Sequence, residues 1–273
     1  MTQISNTYLA CPHDGLPLSE QDRRVVCPAG HSFDRAKRGY LNLLPVNHKR
    51  SKDPGDSQEM IAARHRFLEQ GHYLPLAKAL ADFSRVSDAV SLLDAGCGEG
   101  YYLRQLEQQC SETVWQGVGL DISKPAIDSA AKFDKGFQYL VASNAHIPVL
   151  DDTIDVVWCV FGFANFEEFR RVLKPGGRLI MADPGPAHLI ELREIIYPSI
   201  NDKLPSRDIP AGFEPHVDKH LTGVLDLDAA TIADLLVMTP HLYRANPHGR
   251  AAAAALSHLA CRFDIHVRVF TRL

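Results

Sequence analysis

The sequence predicts an α/β protein: a doubly wound parallel sheet preceded by a small, turn-rich module. Three observations carry that expectation. From residue 88 onward, short apolar strands alternate with helix-period segments. The first strand and first helix of that series are joined by Asp94-Ala-Gly-Cys-Gly-Glu-Gly100, a glycine-rich turn. Residues 8–34, by contrast, are short, punctuated by Pro12, Gly15, Pro17, Pro28 and Gly30, and carry Cys11, Cys27 and His31.

In chain order, Val25 and Val26 suggest a short strand feeding Cys27, and residues 35–57 read as extended and polar, ending in the turn Asp53-Pro-Gly-Asp56. Ser57 is a candidate N-cap for a helix whose apolar positions Met60, Ala63, Phe67 and Leu68 fall on one face before Gly71. A second helix is expected over 74–83. Strands follow at 90–94, 114–121, 138–142, 154–161 and 178–183. The intervening helices are placed at 102–109, at 124–133 (Ser123 as cap, Pro125 in the first turn) and at 167–173, the last closed by Lys174-Pro-Gly-Gly177. Residues 188–197 and 227–238 read as helices, Ala251 to Ala255 lies in a late helix, 198–226 reads as irregular, and 265–270 gives a closing strand. The expected division is a module at 1–36, a linker and helical segment at 37–86, and a sheet domain at 87–273 with an insertion near 198–240.

The composition bounds the function. At 273 residues with 45% hydrophobic and 23% charged residues, the chain is close to the globular average, which argues against disordered, collagen-like or coiled-coil classes. No apolar stretch approaches the roughly 20 residues of a membrane span, and Met1 to Asn6 lack the features of a signal peptide; a cytoplasmic protein with no membrane partner is expected. The six cysteines are scattered, unlike a disulfide scaffold. Charge is uneven: residues 1–52 hold eight Lys/Arg against four acids, the remainder 21 against 29. A basic module on an acidic body suits a phosphate backbone as well as it suits an unremarkable solvated surface.

The glycine turn has the spacing G-x-G-x-G with Asp94 in front of it, and so departs from the dinucleotide fingerprint G-x-G-x-x-G. Asp121 ends the next strand, 25 residues beyond Gly96; Ser143-Asn144 follows the third strand; Leu173-Lys-Pro-Gly-Gly-Arg-Leu-Ile180 precedes the fifth. In this order the four features resemble the Rossmann-like class I S-adenosylmethionine-dependent methyltransferases. That resemblance implies that Asp94, Gly96, Gly98 and Gly100 form the cofactor loop, that Asp121 accepts the ribose hydroxyls, and that Asn144 meets the adenine amine. The bland alternatives are a tight turn without ligand and a helix cap.

Further residues narrow the resemblance. Cys11-Pro-His-Asp14, Cys27-Pro-Ala-Gly-His31, Lys37-Arg-Gly-Tyr40, His48-Lys-Arg-Ser-Lys-Asp-Pro-Gly-Asp56, Gly71-His-Tyr73, Pro184-Gly-Pro-Ala-His188 and Met238-Thr-Pro240 together resemble the bacterial 23S rRNA (guanine-N1)-methyltransferases over almost the whole chain. The resemblance implies methyl transfer from S-adenosylmethionine to N1 of a guanine in a hairpin loop of 23S rRNA. It places Tyr73, Gly98, Glu99 and His188 around the cofactor, with Glu99 receiving the methionine ammonium. It also implies a zinc-finger-like RNA-recognition module, and a possible homodimer. Cys11, Cys27 and His31 match three zinc ligands; the family's fourth, a cysteine, is Asp14 here, so the ligand set is Cys11, Asp14, Cys27 and His31, with His13 as another candidate donor, or the metal is lost and the module holds by packing. Phe161 and Phe163, where the family carries Tyr-Ala-Pro, are expected to stack on the base or else to be core aromatics, and Lys49 and Arg50 to meet RNA. No catalytic base is assigned; Asp183 is near in topology. Methylation of another RNA base or a small molecule, and a non-catalytic RNA-binding relative, remain the alternatives.

Overall fold

The computed structural model describes residues 8–46, 54–110, 112–200, 208–239 and 245–273. Strands β1 (Ser19–Gln21), β2 (Arg24–Val26) and β3 (Ser32–Asp34) form a small antiparallel sheet. After β4 (Leu41–Asn42) come α1 (Gln58–Glu69) and α2 (Leu74–Ser84). The alternating part follows: β5 (Ala89–Ala95), α3 (Tyr101–Gln109), β6 (Val114–Asp121), α4 (Lys124–Phe133), β7 (Gln138–Val141), β8 (Ile154–Val160), α5 (Phe166–Val172), β9 (Leu173–Pro184) and α6 (Ile190–Ile196). The chain ends with β10 (Phe213–Asp228), α7 (Ala229–Met238), α8 (Pro247–Ala254) and β11 (His258–Arg272).

Eight strands form one sheet in the order β10-β11-β9-β8-β5-β6-β7-β4. Its six strands from β9 to β4 run parallel, as expected, and their central members are apolar along their length because helices cover both faces. Two expectations are corrected. The sheet is mixed, since β11 runs antiparallel to β9 and β10 antiparallel to β11. Residues 198–226 are not irregular throughout: β10 occupies 213–228 and is an edge strand of the main sheet, so the insertion expected near 198–240 does not stand apart from the domain. An edge strand exposed along most of its length has no apolar alternation to reveal it, and β10 reads Phe-Glu-Pro-His-Val-Asp-Lys-His over its first half. The 174–177 turn lies within β9, where its pairing with β8 shifts register.

The helix caps form as the sequence implies. Ser57 Oγ accepts from Met60 N (3.3 Å) and Ser123 Oγ from Ala126 N (3.2 Å). Ser123 Oγ also donates to the Asp56 carbonyl (2.7 Å), tying the chain before α1 to the start of α4.

The segment expected as a linker is built into the core. Phe67 of α1 and Leu76 and Leu80 of α2 are fully buried with Trp158 and Val156 in the apolar layer on one side of the sheet. The small module belongs to the layer on the other side, where Cys11, Leu18, Val25 and Cys27 pack with Leu140, Ile147 and Val149. It is also joined by backbone. β4 pairs with β7, Leu9 bridges Val149, and Ala10 N donates to Pro148 O (3.0 Å). Arg35 adds a clamp, donating to Glu20, to the Gly39 carbonyl and to Gln138 of β7. Module and sheet therefore share one hydrophobic interior.

Candidate functional site

Strand order reverses between β5 and β8, and in open α/β sheets ligands bind outside the carboxyl ends of the strands at such a point. The glycine turn sits there. Gly96, Gly98 and Gly100 all have positive φ (99°, 55° and 79°), a region closed to most side chains. A Cβ on Gly100 would also stand 2.9 Å from Tyr139 Oη. The loop is fastened to the neighbouring strand, because Gly96 N and Cys97 N both donate to Leu120 O (2.9 Å) and Gly98 N donates to Asp121 Oδ2 (3.0 Å). Gly100 caps α3, whose N-terminus faces the same space.

That space is a cavity of about 1110 Å³. Of the residues singled out in the sequence, Tyr73, Gly96, Gly98, Glu99, Asp121, Asn144, Phe161, Phe163 and His188 line it. Asp94 lies beneath the loop and Gly100 behind it, both outside the lining. Asp183 is a lining residue as well, and Arg268 Nη2 donates to its carboxylate at 2.8 Å.

The polar atoms divide sharply. Among the described residues, neither carboxylate oxygen of Asp94, which is 1% exposed, has a hydrogen-bond partner; burial, reinforced by the neighbouring Asp121, pushes this carboxyl up to about 8. Asn144 donates through Nδ2 to the carbonyls of Phe163 (3.1 Å) and Ala95 (3.4 Å), and its buried Oδ1 meets no donor among the described residues. The Tyr101 hydroxyl is likewise buried, with no partner among them. Buried polar atoms of this kind cost stability until something meets them. Glu99 is different. Its carboxylate is engaged by Arg104 Nη2 (2.9 Å) and His65 Nδ1 (3.1 Å), so the uncompensated acid is Asp94 rather than the Glu99 that sequence reasoning favoured.

On the far wall, Asp264 N donates to His188 Nδ1 (3.2 Å), which leaves Nε2 to carry the proton and donate to Tyr73 Oη (3.1 Å). The Phe161 ring lies nearly parallel to His188 (6.3 Å, 17°) and edge-on to Tyr73 (6.0 Å, 79°). Phe161 adopts φ +53°, a left-handed conformation rare for an aromatic residue, and Phe163 is 94% exposed. The reading of these two as core aromatics is therefore overturned. Arg64 of α1 was missed by sequence reasoning. It approaches Gly98, pairs with Asp56 and donates to the Met238 carbonyl (3.0 Å), yet in sequence it is one charge on a helix with no motif around it.

Cys11, Asp14, Cys27 and His31 converge at the other site. Their donor atoms all lie within 4.8 Å of one another. The measured edges are 3.5 Å (Cys11 Sγ to His31 Nδ1), 3.4 Å (Cys27 Sγ to His31 Nδ1), 3.3 Å (Cys27 Sγ to Asp14 Oδ2) and 2.9 Å (His31 Nδ1 to Asp14 Oδ2). Zinc with ordinary bond lengths gives a tetrahedron with edges of roughly 3.3–3.8 Å; the three edges to sulfur fall in that range, whereas His31 and Asp14 stand closer together, in direct contact, so the set matches zinc in donor type and in its sulfur edges. His13 stands outside this set, its ring 4.9 Å from that of His31 and stacked on Phe33. Lys49 and Arg50 lie outside the described residues.

Among the described residues, no helix is long and apolar enough to cross a membrane. Residues 93–181 match the methyltransferase domain family, and residues 9–52 match the zinc ribbon described as RlmA, N-terminal. In fold, the chain resembles the methyltransferase solved in complex with the Trm112 activator of Haloferax volcanii (TM-score 0.52, 22% identity, 80% of this chain and 99% of that one). These define a class I S-adenosylmethionine-dependent methyltransferase carrying a zinc ribbon. The chain is 32% identical to the 23S rRNA (guanine(748)-N(1))-methyltransferase of Streptomyces fradiae, over 88% of its own length and 87% of the relative's. It is 35% identical to a 23S rRNA (guanine-N(1)-)-methyltransferase of Micromonospora griseorubida, over 92% of each chain. The chain belongs to the 23S rRNA (guanine-N1)-methyltransferase family.

Proposed function

We propose that this chain methylates N1 of a guanine in a hairpin loop of 23S rRNA, with the residues around the 1110 Å³ cavity divided between cofactor and base. The observation that carries the reading is the set of buried polar atoms without a partner among the described residues: Oδ1 of Asn144, a lining residue, and the two carboxylate oxygens of Asp94 beneath the loop. S-adenosylmethionine fits that set, since it brings positive charge at its methionine end and an amine donor on its adenine; when bound it supplies a methyl group on a sulfonium leaving group.

Asp94 compensates the cationic end from beneath the Gly96–Gly100 loop. Asp121 accepts the ribose hydroxyls with the lone pairs its two backbone donors leave over, and Asn144 Oδ1 accepts from the adenine amine. Tyr73 and His188 close the wall opposite the loop. The cavity exceeds the roughly 300–1,000 Å³ that one small ligand occupies, which leaves room for a base beside the cofactor. Phe161 and Phe163 stack on that base. Guanine N1 carries a proton and is hidden in a base pair, so the target is an unpaired loop base or one extruded from its stack. The N1 proton passes to the Asp183 carboxylate, which Arg268 orients.

Cys11, Asp14, Cys27 and His31 hold zinc, which stabilises the ribbon; none of the four lines the cavity. The ribbon engages the RNA hairpin with the help of Lys49 and Arg50. The protein works in the cytoplasm, where ribosomal RNA is made and modified, and two copies present a shared RNA surface.

The test is methyl transfer from labelled S-adenosylmethionine to 23S rRNA, mapped by primer-extension arrest, since a methyl on N1 blocks base pairing. Arrest at one loop guanine is the expected outcome. Asp183→Asn is expected to lower kcat by about 10²–10⁴-fold with cofactor affinity unchanged. Cofactor binding without rRNA methylation would sink the substrate assignment.

A further inference from the structure

β11 runs behind the wall of the cavity and contributes no residue to its lining, yet its residues 262–264 hold the whole segment that delivers His188. Gly185 N donates to the Asp264 carbonyl (2.8 Å), Ala187 N to Asp264 Oδ2 (2.8 Å), and Asp264 N to His188 Nδ1 (3.2 Å). Leu189 N then donates to the Arg262 carbonyl (2.9 Å). Leu189 itself sits at φ +54°, a left-handed conformation that persists for a branched side chain only where the surroundings over-determine it. The fit is tight on the other side too: a methyl group on Gly185 would stand 2.5 Å from Asp264 Oδ2.

The Asp264 carboxylate is buried, and its second oxygen is taken by His220 Nε2 of β10, the cross-strand partner of His266. These three side chains bring metal-binding atoms within 4.8 Å of one another. Their rings argue against a chelate. The two imidazoles stack at 4.2 Å with 18° between planes. A metal must lie close to the plane of each imidazole that binds it, and two nearly parallel planes so far apart do not share such a point. The arrangement is that of a buried carboxylate in contact with His220 Nε2 through one oxygen and accepting from a backbone amide through the other.

We infer that Asp264 is a positioning residue: its carboxylate latches the 185–188 turn to β11 and thereby fixes the ring of His188, as the neutral tautomer protonated at Nε2, against Tyr73. The consequence for cofactor affinity rests on the assignment of His188 to the cofactor wall proposed above; the latch itself does not. Asn at 264 keeps an oxygen for Ala187 N, whereas Ala does not, so the two variants separate the latch from general loss of packing.

The test uses the full-length, zinc-loaded protein and reads the side-chain ¹⁵N signals of His188 by NMR, together with the affinity for S-adenosylhomocysteine by calorimetry. In the parent protein His188 shows an unprotonated Nδ1 and a protonated Nε2. Asp264→Ala is expected to broaden or exchange those signals and to weaken S-adenosylhomocysteine about tenfold, and Asp264→Asn to recover most of both. Gly185→Ala, which crowds the carboxylate from the turn side, gives the same phenotype without touching β11 and serves if Asp264→Ala does not fold. Unchanged His188 signals in folded Asp264→Ala and Gly185→Ala overturn the latch. If the signals move and S-adenosylhomocysteine affinity does not, the latch stands, and it is the placement of His188 at the cofactor that falls.

Discussion

The zinc ribbon and the methyl-transfer cavity use the same kinds of side chain in opposite ways. In the ribbon, Cys11, Asp14, Cys27 and His31 turn their donor atoms toward one another, all within 4.8 Å. At and beneath the cavity wall, Asn144 and Asp94 hold buried oxygens that no group among the described residues meets. The first set is a closed site whose value is structural; the second is an open one whose cost is recovered only when a ligand arrives. The ribbon's four donors span 21 residues of chain, whereas the cavity draws on α1, the residue before α2, the loop after β5 with the start of α3, the end of β6, and the segments after β7, β8 and β9.

The comparison breaks first at the ribbon. Cys27→Ala removes one of two thiolates from a buried position shared with the main core, and is expected to release zinc and lower unfolding free energy by more than about 3 kcal/mol, checked by metal analysis and denaturant unfolding. Asp14→Cys, in the same assay, is expected to tighten zinc at least about tenfold, because thiolate is the softer donor. An equally weak site in that variant would show that Asp14 is not a ligand.

At the cavity, Gly100→Ala imposes a side chain on φ +79° and drives a methyl group against Tyr139. A loss of about 2 kcal/mol in stability is expected, with weaker cofactor binding, measured by thermal unfolding with and without S-adenosylhomocysteine.

Asp94 sharpens the contrast through pH. Its folded-state carboxyl is raised to about 8, so the ligand-free protein keeps a proton that the unfolded chain loses near pH 4. Ligand-free stability therefore falls as pH climbs from about 4 to about 8. A bound cation lowers that pKa, so S-adenosylmethionine affinity is expected to rise over the same window with release of a proton. Calorimetry in buffers of different ionisation enthalpy measures both, and Asp94→Asn should flatten both trends.

The smallest effect on stability is expected at Phe163, whose ring is almost wholly exposed. Phe163→Ala should change unfolding free energy by less than about 0.5 kcal/mol. It should still raise KM for the rRNA about tenfold, the worth of one lost base stack, with cofactor affinity unaltered.

Much of this was legible in the sequence where local chemistry dictates local shape. The caps at Ser57 and Ser123, the parallel strands from β5 to β9 and the glycine turn follow from periodicity, capping oxygens and φ > 0 positions that only glycine occupies freely. The four donors that converge in the ribbon could be named from the family resemblance alone. What stayed hidden was whatever depends on a partner far away in the chain. β10 is polar and exposed, and it becomes a strand only because β11 pairs with it from Phe213↔Arg272 to Asp228↔His258. Glu99 looks like a free acid beside a glycine turn until Arg104 and His65 are brought to it. Asp264 carries no motif at all, and its role exists only because β11 returns beside β9 and lays its backbone against the turn that holds His188. By itself, then, the sequence determined the class of fold and the glycine turn between β5 and α3, since both follow from periodicity and short-range sterics, while the zinc-ligand set was only what the family resemblance implied. The tertiary structure alone decided which buried charges are compensated and which are left waiting for a ligand, because compensation is a property of distance in space, and residues 76 positions apart in the chain can stand one hydrogen bond apart in the fold.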